Sequence, residues 1–283
     1  MDDPSFSQDP PFTRPLVGII GGQGRMGRWL KARLEEDGHQ VRVADRGHGP
    51  PPCELAAACP VLILAVPVPA VAQVMAAIGP FTRTDGLLLD IASLKQAPLE
   101  AMLAHARGEV IGGHPLCGPT APSLAGQVFF VCPGRGSRWW AWLQAWLGRA
   151  GAQAVEITAA SHDRLMAQVQ TLRHMLLLGL GHTLREVGFK PARDLPLAGP
   201  WFGSLVGLLE HQGQQPADLY ADLALNNPAA PAMLAALAQG LARIAQMTAA
   251  GDRQGLVEMM DQVRDYLGGG GPAKNLPAPP QRP

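Results

Sequence analysis

The stretch Leu16-Val-Gly-Ile-Ile-Gly-Gly-Gln-Gly-Arg-Met-Gly27 decides the fold of the first half of the chain. It places three glycines in G-x-G-x-x-G spacing, directly after an apolar strand and before a helix that we expect to begin near Met26. Glycines in this context allow a tight turn and let a pyrophosphate approach the backbone at the positive N-terminus of the helix. The pattern predicts a dinucleotide-binding loop rather than a turn that only packs a helix. Its predicted cofactor contacts are Gly22, Gln23, Gly24, Arg25, Met26 and Gly27.

A carboxylate after the predicted second strand indicates which dinucleotide this loop binds. Asp45 follows the strand predicted over residues 40–44, at about the ~20-residue distance expected for the motif. A carboxylate there accepts a hydrogen bond from a ribose 2′-hydroxyl and repels a 2′-phosphate, which predicts NAD rather than NADP. Arg46 weakens this preference, because a guanidinium can stack on adenine or tolerate a phosphate. Val66 and Pro67, which follow the predicted third strand, complete the expected cofactor contacts.

Short apolar strands alternate with helical patterns through the first half of the chain, and the second half is helical throughout. The predicted strands span residues 16–21, 40–44, 61–66, 87–90, 109–112, 128–131 and 153–156. This alternation is typical of a mainly parallel sheet flanked by helices. We therefore expect an α/β Rossmann-type N-terminal domain over residues 16–157 and an all-α C-terminal dimerisation domain over residues 158–267. Tails rich in Pro, Asp or Gly, at residues 1–15 and 268–283, are expected to be disordered.

A long helix predicted over residues 159–187 carries apolar side chains on most of its faces. A monomeric surface helix could not bury them, so the pattern indicates a buried or a dimer-forming helix, and we expect a homodimer through the helical half. Four tryptophans lie on a shorter helix predicted over residues 137–150. Because no basic stripe accompanies them, we expect them to pack in the core or an interface rather than to stack on nucleic-acid bases.

The composition excludes several classes of protein. The 283 residues carry 23 Lys and Arg against 23 Asp and Glu, so neither a nucleic-acid partner nor an anionic membrane surface is expected. The chain has no apolar run of the ~18 residues that cross a bilayer and no basic, apolar leader, so we expect a cytoplasmic protein. Its four cysteines show no metal-binding spacing and are expected to be free thiols, with no metal site.

Two polar side chains follow later strands, at the sheet edge where the cofactor should bind. Ser93 lies in Asp90-Ile-Ala-Ser-Leu-Lys95, after the predicted fourth strand. His114 stands between Gly113 and Pro115 in a loop that we expect after the fifth strand. Imidazole is the side chain best suited to accept a proton near neutral pH, so His114 is the candidate catalytic base. Ser93 carries the hydroxyl that is best placed to contact a ligand. Helix capping and solvent exposure are the alternatives for Ser93 and Lys95.

These motifs together resemble the prephenate dehydrogenase family, most closely the branch otherwise fused to chorismate mutase. The resemblance also includes the segments Ser161–His174 and Leu219–Asp222 and spans residues 17–266 in order. It implies NAD-dependent oxidative decarboxylation of a cyclohexadienyl substrate, a small molecule, to a 4-substituted phenylpyruvate. It also implies that His114 accepts the proton of the C4 substituent, that Ser93 orients this substituent, and that His174 and Tyr220 bind substrate. From the short segment before the first strand we expect no mutase domain, and no regulatory domain is expected after the helical half.

The sequence departs from the family at one position. The family supplies an arginine from the helical domain for the side-chain carboxylate of the substrate. Alignment without gaps puts His211 there, and a local match puts Leu208 there. Histidine holds an anion more weakly than arginine, so either the carboxylate is held elsewhere or the substrate differs. Arg173, Lys190 and Arg193 are the possible substitutes, each also readable as a solvated surface charge.

The sequence leaves four functions open. Prephenate, arogenate and 4-amino-4-deoxyprephenate are the candidate substrates, the last associated with specialised metabolism. A dinucleotide-binding dimer without catalysis is the alternative in another class, against which Ser93 and His114 argue. The helix predicted over residues 159–187 contains no lysine, which disfavours a β-hydroxyacid dehydrogenase. We further expect the Ser161-His-Asp163 run to be a helix cap and first turn rather than a catalytic triad.

Overall fold

A computed structural model describes residues 14–268 and divides the chain into two compact units, one up to residue 166 and one from residue 167. Nearly all of the two predicted tails lies outside the described residues. The first unit contains all seven predicted strands, with bounds that differ by a few residues from the predicted ones. They are β1 Val17–Ile20, β2 Val41–Ala44, β3 Val61–Leu64, β4 Leu87–Asp90, β5 Glu109–Pro115, β6 Val128–Arg135 and β7 Gln153–Glu156.

These strands form one sheet in the order β2-β1-β3-β4-β5-β6-β7. All neighbours are parallel except β5 and β6, which pair antiparallel. Ile20, Leu64, Asp90 and Gly112 lie in register, so the carboxyl ends of β1, β3, β4 and β5 meet at one edge of the sheet. The strand order reverses at β1, and in open α/β sheets ligands bind outside the strand ends at such a point.

Helices cover both faces of the sheet. Those of the first unit are α1 Arg25–Glu36, α2 Pro52–Ala58, α3 Val71–Ile78, α4 Gln96–His105, α5 Arg138–Arg149 and α6 Ala159–Met166. Ile19 and Ile63 face one hydrophobic cluster with α1 and α5, while Ile20 and Leu64 face the other with α2, α3 and α4. The central strands β1, β3 and β4 are therefore buried on both sides, which explains their largely apolar sequences.

The tryptophans of α5 pack in the core, as predicted. Trp139, Trp142 and Trp146 recur at helical spacing on the buried face, and the rings of Trp142 and Trp146 stack with centroids 6.2 Å apart. Trp146 also meets Phe129 of β6 edge-to-face. This face packs α5 on the sheet. Of the four tryptophans of this helix, Trp140 alone is partly exposed.

The second unit is helical. Its α-helices are α7 Leu172–Glu186, α8 Pro191–Asp194, α9 Pro200–Gly213, α10 Ala217–Leu225, α11 Ala230–Ala250 and α12 Arg253–Tyr266. The long helix predicted over residues 159–187 is not continuous, because a π-helical turn at Ala167–Thr171 separates α6 from α7. The π turn begins at the division between the units, so α6 belongs with the sheet and α7 with the helical unit.

Large apolar side chains lie exposed on the helical unit. The most exposed are Val187, Leu197, Trp201, Leu225, Met260, Tyr266 and Leu267. They are concentrated in a unit whose helices bury few of their own residues. Within residues 14–268, no helix combines the length and the apolar character needed to span a membrane.

Candidate active site

The glycine-rich loop connects β1 to α1 at the carboxyl edge of the sheet. A Cβ atom on Gly22 would lie 2.6 Å from the Val43 side chain, and one on Gly27 would lie 2.2 Å from the Gly21 carbonyl oxygen. These two positions require glycine for packing. Gly24 is exposed and caps α1 without a side-chain hydrogen bond, and the first turn of the helix contains no acidic residue. The helix N-terminus therefore presents backbone N–H groups and positive potential, as pyrophosphate binding needs.

Asp45 closes this loop from the end of β2. Its carboxylate accepts hydrogen bonds from the backbone N–H groups of Gln23 (2.9 Å) and Arg46 (2.8 Å). Asp45 is half-buried, whereas the Arg46 side chain is exposed. Val66 lies against Gly21 on the β3 side, followed by exposed Pro67. The structure thus brings the predicted cofactor residues together, and a carboxylate beside a ligand-accessible loop fits the ribose of NAD.

A buried ion pair holds the loop that follows β4. Asp90 and Lys95 are both fully buried, and the Lys95 ammonium donates to the Asp90 carboxylate and to the Gly113 carbonyl (2.6 Å). Asp90 also accepts from the Ala92 N–H at 3.0 Å. Burial raises the pKa of Asp90, and the Lys95 charge opposes that rise. Lys95 is therefore buried and not exposed to solvent, which was one of the alternatives for this residue. Half-buried Ser93 lies on the loop that this ion pair holds in place.

His114 lies within β5 and not in a loop after it. The predicted strand ended at residue 112, but β6 returns antiparallel and pairs His114 with Phe130, which extends β5 to Pro115. The imidazole is buried two residues beyond the aligned strand ends. Burial, together with the neighbouring His162 and Lys95, keeps the pKa of His114 well below its ordinary value of about 6.5. His114 is therefore neutral near pH 7, as a proton acceptor must be.

Two site residues were missed by the sequence reasoning. His162 Nε2 lies 2.9 Å from His114 Nδ1, and His162 Nδ1 lies 2.8 Å from an oxygen of Asp163. Both His162 and Asp163 are buried, although the run was predicted to be only a cap and first turn; the cap of this turn is Thr158, whose hydroxyl accepts from the Ser161 N–H. A usable signal was their position on the apolar stripe that continues through Met166.

A second polar cluster lies within the helical unit. His174 of α7 is buried, with its Nδ1 2.8 Å from the Gln212 amide oxygen and its Nε2 3.0 Å from the Arg173 guanidinium. Arginine is always a donor, so Nε2 accepts and Nδ1 carries the hydrogen. Burial lowers the pKa of His174, consistent with a neutral ring. Tyr220 packs on this ring with centroids 4.4 Å apart.

The structure does not place His211, which aligns with the family arginine, beside the other predicted substrate-binding residues. His211 is exposed on α9, while the next residue, Gln212, is buried and contacts His174. Arg193 pairs with Asp194, so its charge is already compensated. Arg173 is exposed and directed to His174. Of the three possible substitutes for the missing arginine, Arg173 is the one that the structure joins to a predicted substrate-binding residue.

The cysteines and the possible metal ligands among residues 14–268 are the other candidate reactive groups besides His114. The four cysteines are free, as predicted. Burial raises the pKa of Cys132 to about 12 and also raises the pKa of Cys117, so neither thiol forms a thiolate near neutral pH. The described part of the chain contains no cluster of three or more His, Cys, Asp or Glu side chains suited to a metal ion.

Comparison with known proteins identifies the family. The model "Prephenate dehydrogenase, nucleotide-binding domain" matches residues 31–156, and "Prephenate dehydrogenase, dimerization domain" matches residues 158–262. The chain is 32% identical to the T-protein of Enterobacter agglomerans, over 94% of this chain and 71% of that protein. It is 28% identical to the 4-amino-4-deoxyprephenate dehydrogenase of Streptomyces pristinaespiralis, over 88% of this chain and 90% of that protein.

The fold agrees with a solved member of this family. The structure of prephenate dehydrogenase from A. aeolicus, in complex with hydroxyphenyl propionate and NAD+, superimposes with a TM-score of 0.73 over 90% of this chain and 98% of that chain, at 17% identity. This similarity concerns the fold, while the two family models and the T-protein similarity concern the sequence. The chain belongs to the prephenate dehydrogenase family and is an NAD-dependent oxidoreductase, with a Rossmann-type nucleotide-binding domain followed by a helical dimerization domain.

Proposed function

We propose that the protein catalyses the NAD-dependent oxidative decarboxylation of a prephenate-type cyclohexadienyl substrate, prephenate or 4-amino-4-deoxyprephenate, to a 4-substituted phenylpyruvate. The observation that carries this proposal is the neutral, buried imidazole of His114, held at the same edge of the sheet as the glycine-rich loop and Asp45. A base at this edge and a hydride acceptor satisfy the requirements of the reaction, because restoring aromaticity supplies much of its driving force.

His114 is the proposed catalytic base. It accepts the proton of the C4 substituent while hydride leaves C4, and the electron pair of the broken O–H or N–H bond forms a double bond to C4. NAD, when bound, accepts the hydride. His114 returns the proton when the bond from C1 to the carboxylate breaks, because that electron pair completes the aromatic ring as CO2 leaves. A low pKa for His114 suits this role, since the residue must be unprotonated to begin the cycle.

Ser93 is proposed to orient the same C4 substituent. Its loop is held at Asp90 by the Ala92 N–H and at Asp163 by the Lys95 N–H, which limits movement of the hydroxyl. A positioned donor of this kind contributes by fixing geometry rather than by exchanging protons. The same loop is tied to the β5 strand through the Lys95 ammonium, so Ser93 and His114 share one rigid support.

Arg173 is proposed to bind the side-chain carboxylate of the substrate. His174 accepts one guanidinium N–H, which fixes the group while leaving its other donors for an anion. We expect Arg173→Gln to raise KM by about 10- to 150-fold, equivalent to the ~1.5–3 kcal/mol of a charge-assisted hydrogen bond, with a smaller change in kcat. Arg185→Gln, which removes an exposed charge from the same helix, is the matched control. An unchanged KM in Arg173→Gln would assign the carboxylate to another group, and His211→Arg then tests the aligned position.

The C4 substituent is identified by comparing substrates. One observation favours including the amine, namely the similarity to a 4-amino-4-deoxyprephenate dehydrogenase. The nitrogen lone pair must be free to form the double bond to C4 as hydride leaves, so an ammonium group must first lose a proton, and turnover of the amine should rise with pH more steeply than turnover of the hydroxyl compound. Steady-state kinetics that follow NADH formation on prephenate, its 4-amino analogue and arogenate test the proposal. Absence of turnover on all three would refute it.

We also propose that the protein works as a homodimer through its helical unit. The apolar side chains exposed on that unit would otherwise face water, and the matching family model describes a dimerization domain. An obligate interface of this kind buries more than about 2,000 Å². Light scattering at micromolar concentration tests the proposal, and a monomer would contradict it.

A further inference from the structure

His114, His162 and Asp163 form one buried chain of hydrogen-bonding groups in the first unit. Their side chains are nearly inaccessible to solvent, with residue exposures of 4%, 0% and 1%. The His114 and His162 rings meet at 72° with centroids 5.1 Å apart, and Phe130 packs edge-on against His162 at 81°. The rings are therefore fixed by packing as well as by hydrogen bonds. Nothing in the role of His114 as a base accounts for the two residues behind it.

The hydrogen-bond partners of Asp163 determine where the hydrogens lie. The carboxylate accepts from the backbone N–H of Lys95 at 2.7 Å and from that of Gln96 at 2.9 Å. A carboxylate that receives two N–H donors acts as an acceptor, so the Nδ1 of His162 facing it carries a hydrogen. A neutral imidazole has one N–H, which leaves Nε2 of His162 as an acceptor. The hydrogen in the contact between the two rings therefore belongs to Nδ1 of His114.

We propose that His162, anchored by Asp163, is a positioning residue that fixes His114 as the Nδ1–H tautomer, so that Nε2 of His114 is the atom that accepts the substrate proton. This proposal rests on the proposed function for its catalytic consequence, but the tautomer is a property of the free protein. When Nε2 takes up the proton, Nδ1–H still donates to His162, and the Asp163 carboxylate lies next in the chain. The imidazolium thus forms without breaking a hydrogen bond.

The charged and titratable groups around His114 agree with this arrangement. Lys95 lies on the loop after β4 and donates next to His114, at the Gly113 carbonyl; its charge is balanced by Asp90. His162 faces His114 from α6, and the neighbour from β6, Phe130, is uncharged. A fixed tautomer is needed here because a hydrogen on Nε2 would turn the base into a donor.

Two substitutions separate the tautomer from simple packing. His162→Gln keeps an amide oxygen that can accept from His114 Nδ1–H, whereas His162→Leu fills the space without an acceptor. We expect His162→Leu to lower kcat by about 10- to 100-fold with KM changed less than threefold, and His162→Gln to recover most of the loss; tautomer fixation then contributes part of the 10²–10⁴-fold effect of a general base. His182→Leu, at an exposed position of α7, is the control for loss of a histidine.

Nitrogen-15 NMR of histidine-labelled protein reads the tautomer directly and needs no substrate. The His114 signal is assigned by its loss in His114→Asn, and we expect a protonated Nδ1 and a bare Nε2 in the unsubstituted protein, changing to a mixture in His162→Leu. A hydrogen on Nε2 of His114 in the unsubstituted protein, or full kcat in a folded His162→Leu variant, would overturn the inference. Absence of turnover in the unsubstituted protein, with the expected NMR signals present, would instead refute the proposed function alone.

Discussion

Replacing Asp45 by asparagine tests the cofactor preference at the residue that sets it. The Asp45 carboxylate accepts hydrogen bonds from the backbone N–H groups of Gln23 and Arg46. Asparagine keeps one acceptor oxygen for the Gln23 N–H, so the loop should retain its shape. It removes the negative charge that repels a 2′-phosphate and weakens the acceptor for the ribose 2′-hydroxyl. The exposed Arg46 next to it would then attract the phosphate without opposition.

The expected change in cofactor preference has two contributions, a lost hydrogen bond to NAD and a lost repulsion of the 2′-phosphate of NADP. A hydrogen bond from the ribose hydroxyl to a charged acceptor contributes about 1.5–3 kcal/mol, so losing it should lower kcat/KM for NAD by about 10- to 150-fold. Two unit charges 4 Å apart interact by about 4 kcal/mol at an effective dielectric of about 20, and solvent reduces this for half-buried Asp45. We therefore expect the unsubstituted protein to prefer NAD at least tenfold, about 1.4 kcal/mol, and Asp45→Asn to use both cofactors with similar efficiency.

The assay is kcat/KM for NAD and for NADP at fixed saturating substrate, measured at low and at physiological salt. Glu100→Gln makes the same change of charge at an exposed position of α4 and should leave the ratio unchanged. Because exposed charges are screened by salt, the NADP gain in Asp45→Asn should be smaller at the higher salt concentration. Equal use of both cofactors by the unsubstituted protein, or an unaltered ratio in Asp45→Asn, would refute the reasoning.

Four further predictions concern His114 (its substitution and its pH profile), the buried ion pair and the assembly. His114→Asn should lower kcat by about 10²–10⁴-fold with NAD affinity and thermal stability retained; parallel loss of NAD binding would mark a structural role. Burial lowers the pKa of His114, and only the neutral ring accepts a proton, so kcat/KM should rise with pH through a value below about 6.5 and then level off. A rise of kcat/KM that occurs only above about pH 6.5 would contradict the assignment of His114 as the base. Lys95→Met leaves Asp90 buried without its cation and should cost about 3–5 kcal/mol in urea unfolding, whereas Lys31→Met, at a surface pair, should cost less than about 1 kcal/mol. The dimer should persist on dilution to micromolar concentration, where light scattering would reveal any dissociation to monomers.

The fold was predictable because its signals are local. Strands β1, β3 and β4 are short apolar runs, and α1 and α5 each have an apolar face, so hydrophobic periodicity locates much of the sheet unit. Two features depended on tertiary contacts and were predicted wrongly. The end of β5 is set by pairing with β6, which is distant in sequence, and the break at Ala167–Thr171 is a π turn within a continuous helical pattern.

The surroundings of the glycine-rich loop were easier to predict from the sequence than the surroundings of His114. Gly22, Gly27 and Asp45 follow a fixed spacing because backbone geometry imposes it. His162 and Asp163 lie 48 and 49 residues beyond His114, and the packing of α6 against α4 and β6 brings them together. Their polar residue types suggested a cap, and this outweighed the signal of the apolar stripe that continues through Met166. The burial of Lys95 was missed for the same reason.

The distribution of burial explains how positions on the helical unit can vary while the surroundings of His114 stay the same. Asp163 holds the backbone of Lys95 and Gln96 together with the His162 ring, so the proton-transfer groups and the Ser93 loop form one buried network in which a change at one member disturbs the others. Arg173 and His211 are exposed on the helical unit. Substitutions at such positions usually change folding free energy by less than about 0.5 kcal/mol. Residues 208 and 211 of the helical unit can therefore lack an arginine while the hydrogen bonds that join His114, His162 and Asp163 stay in place.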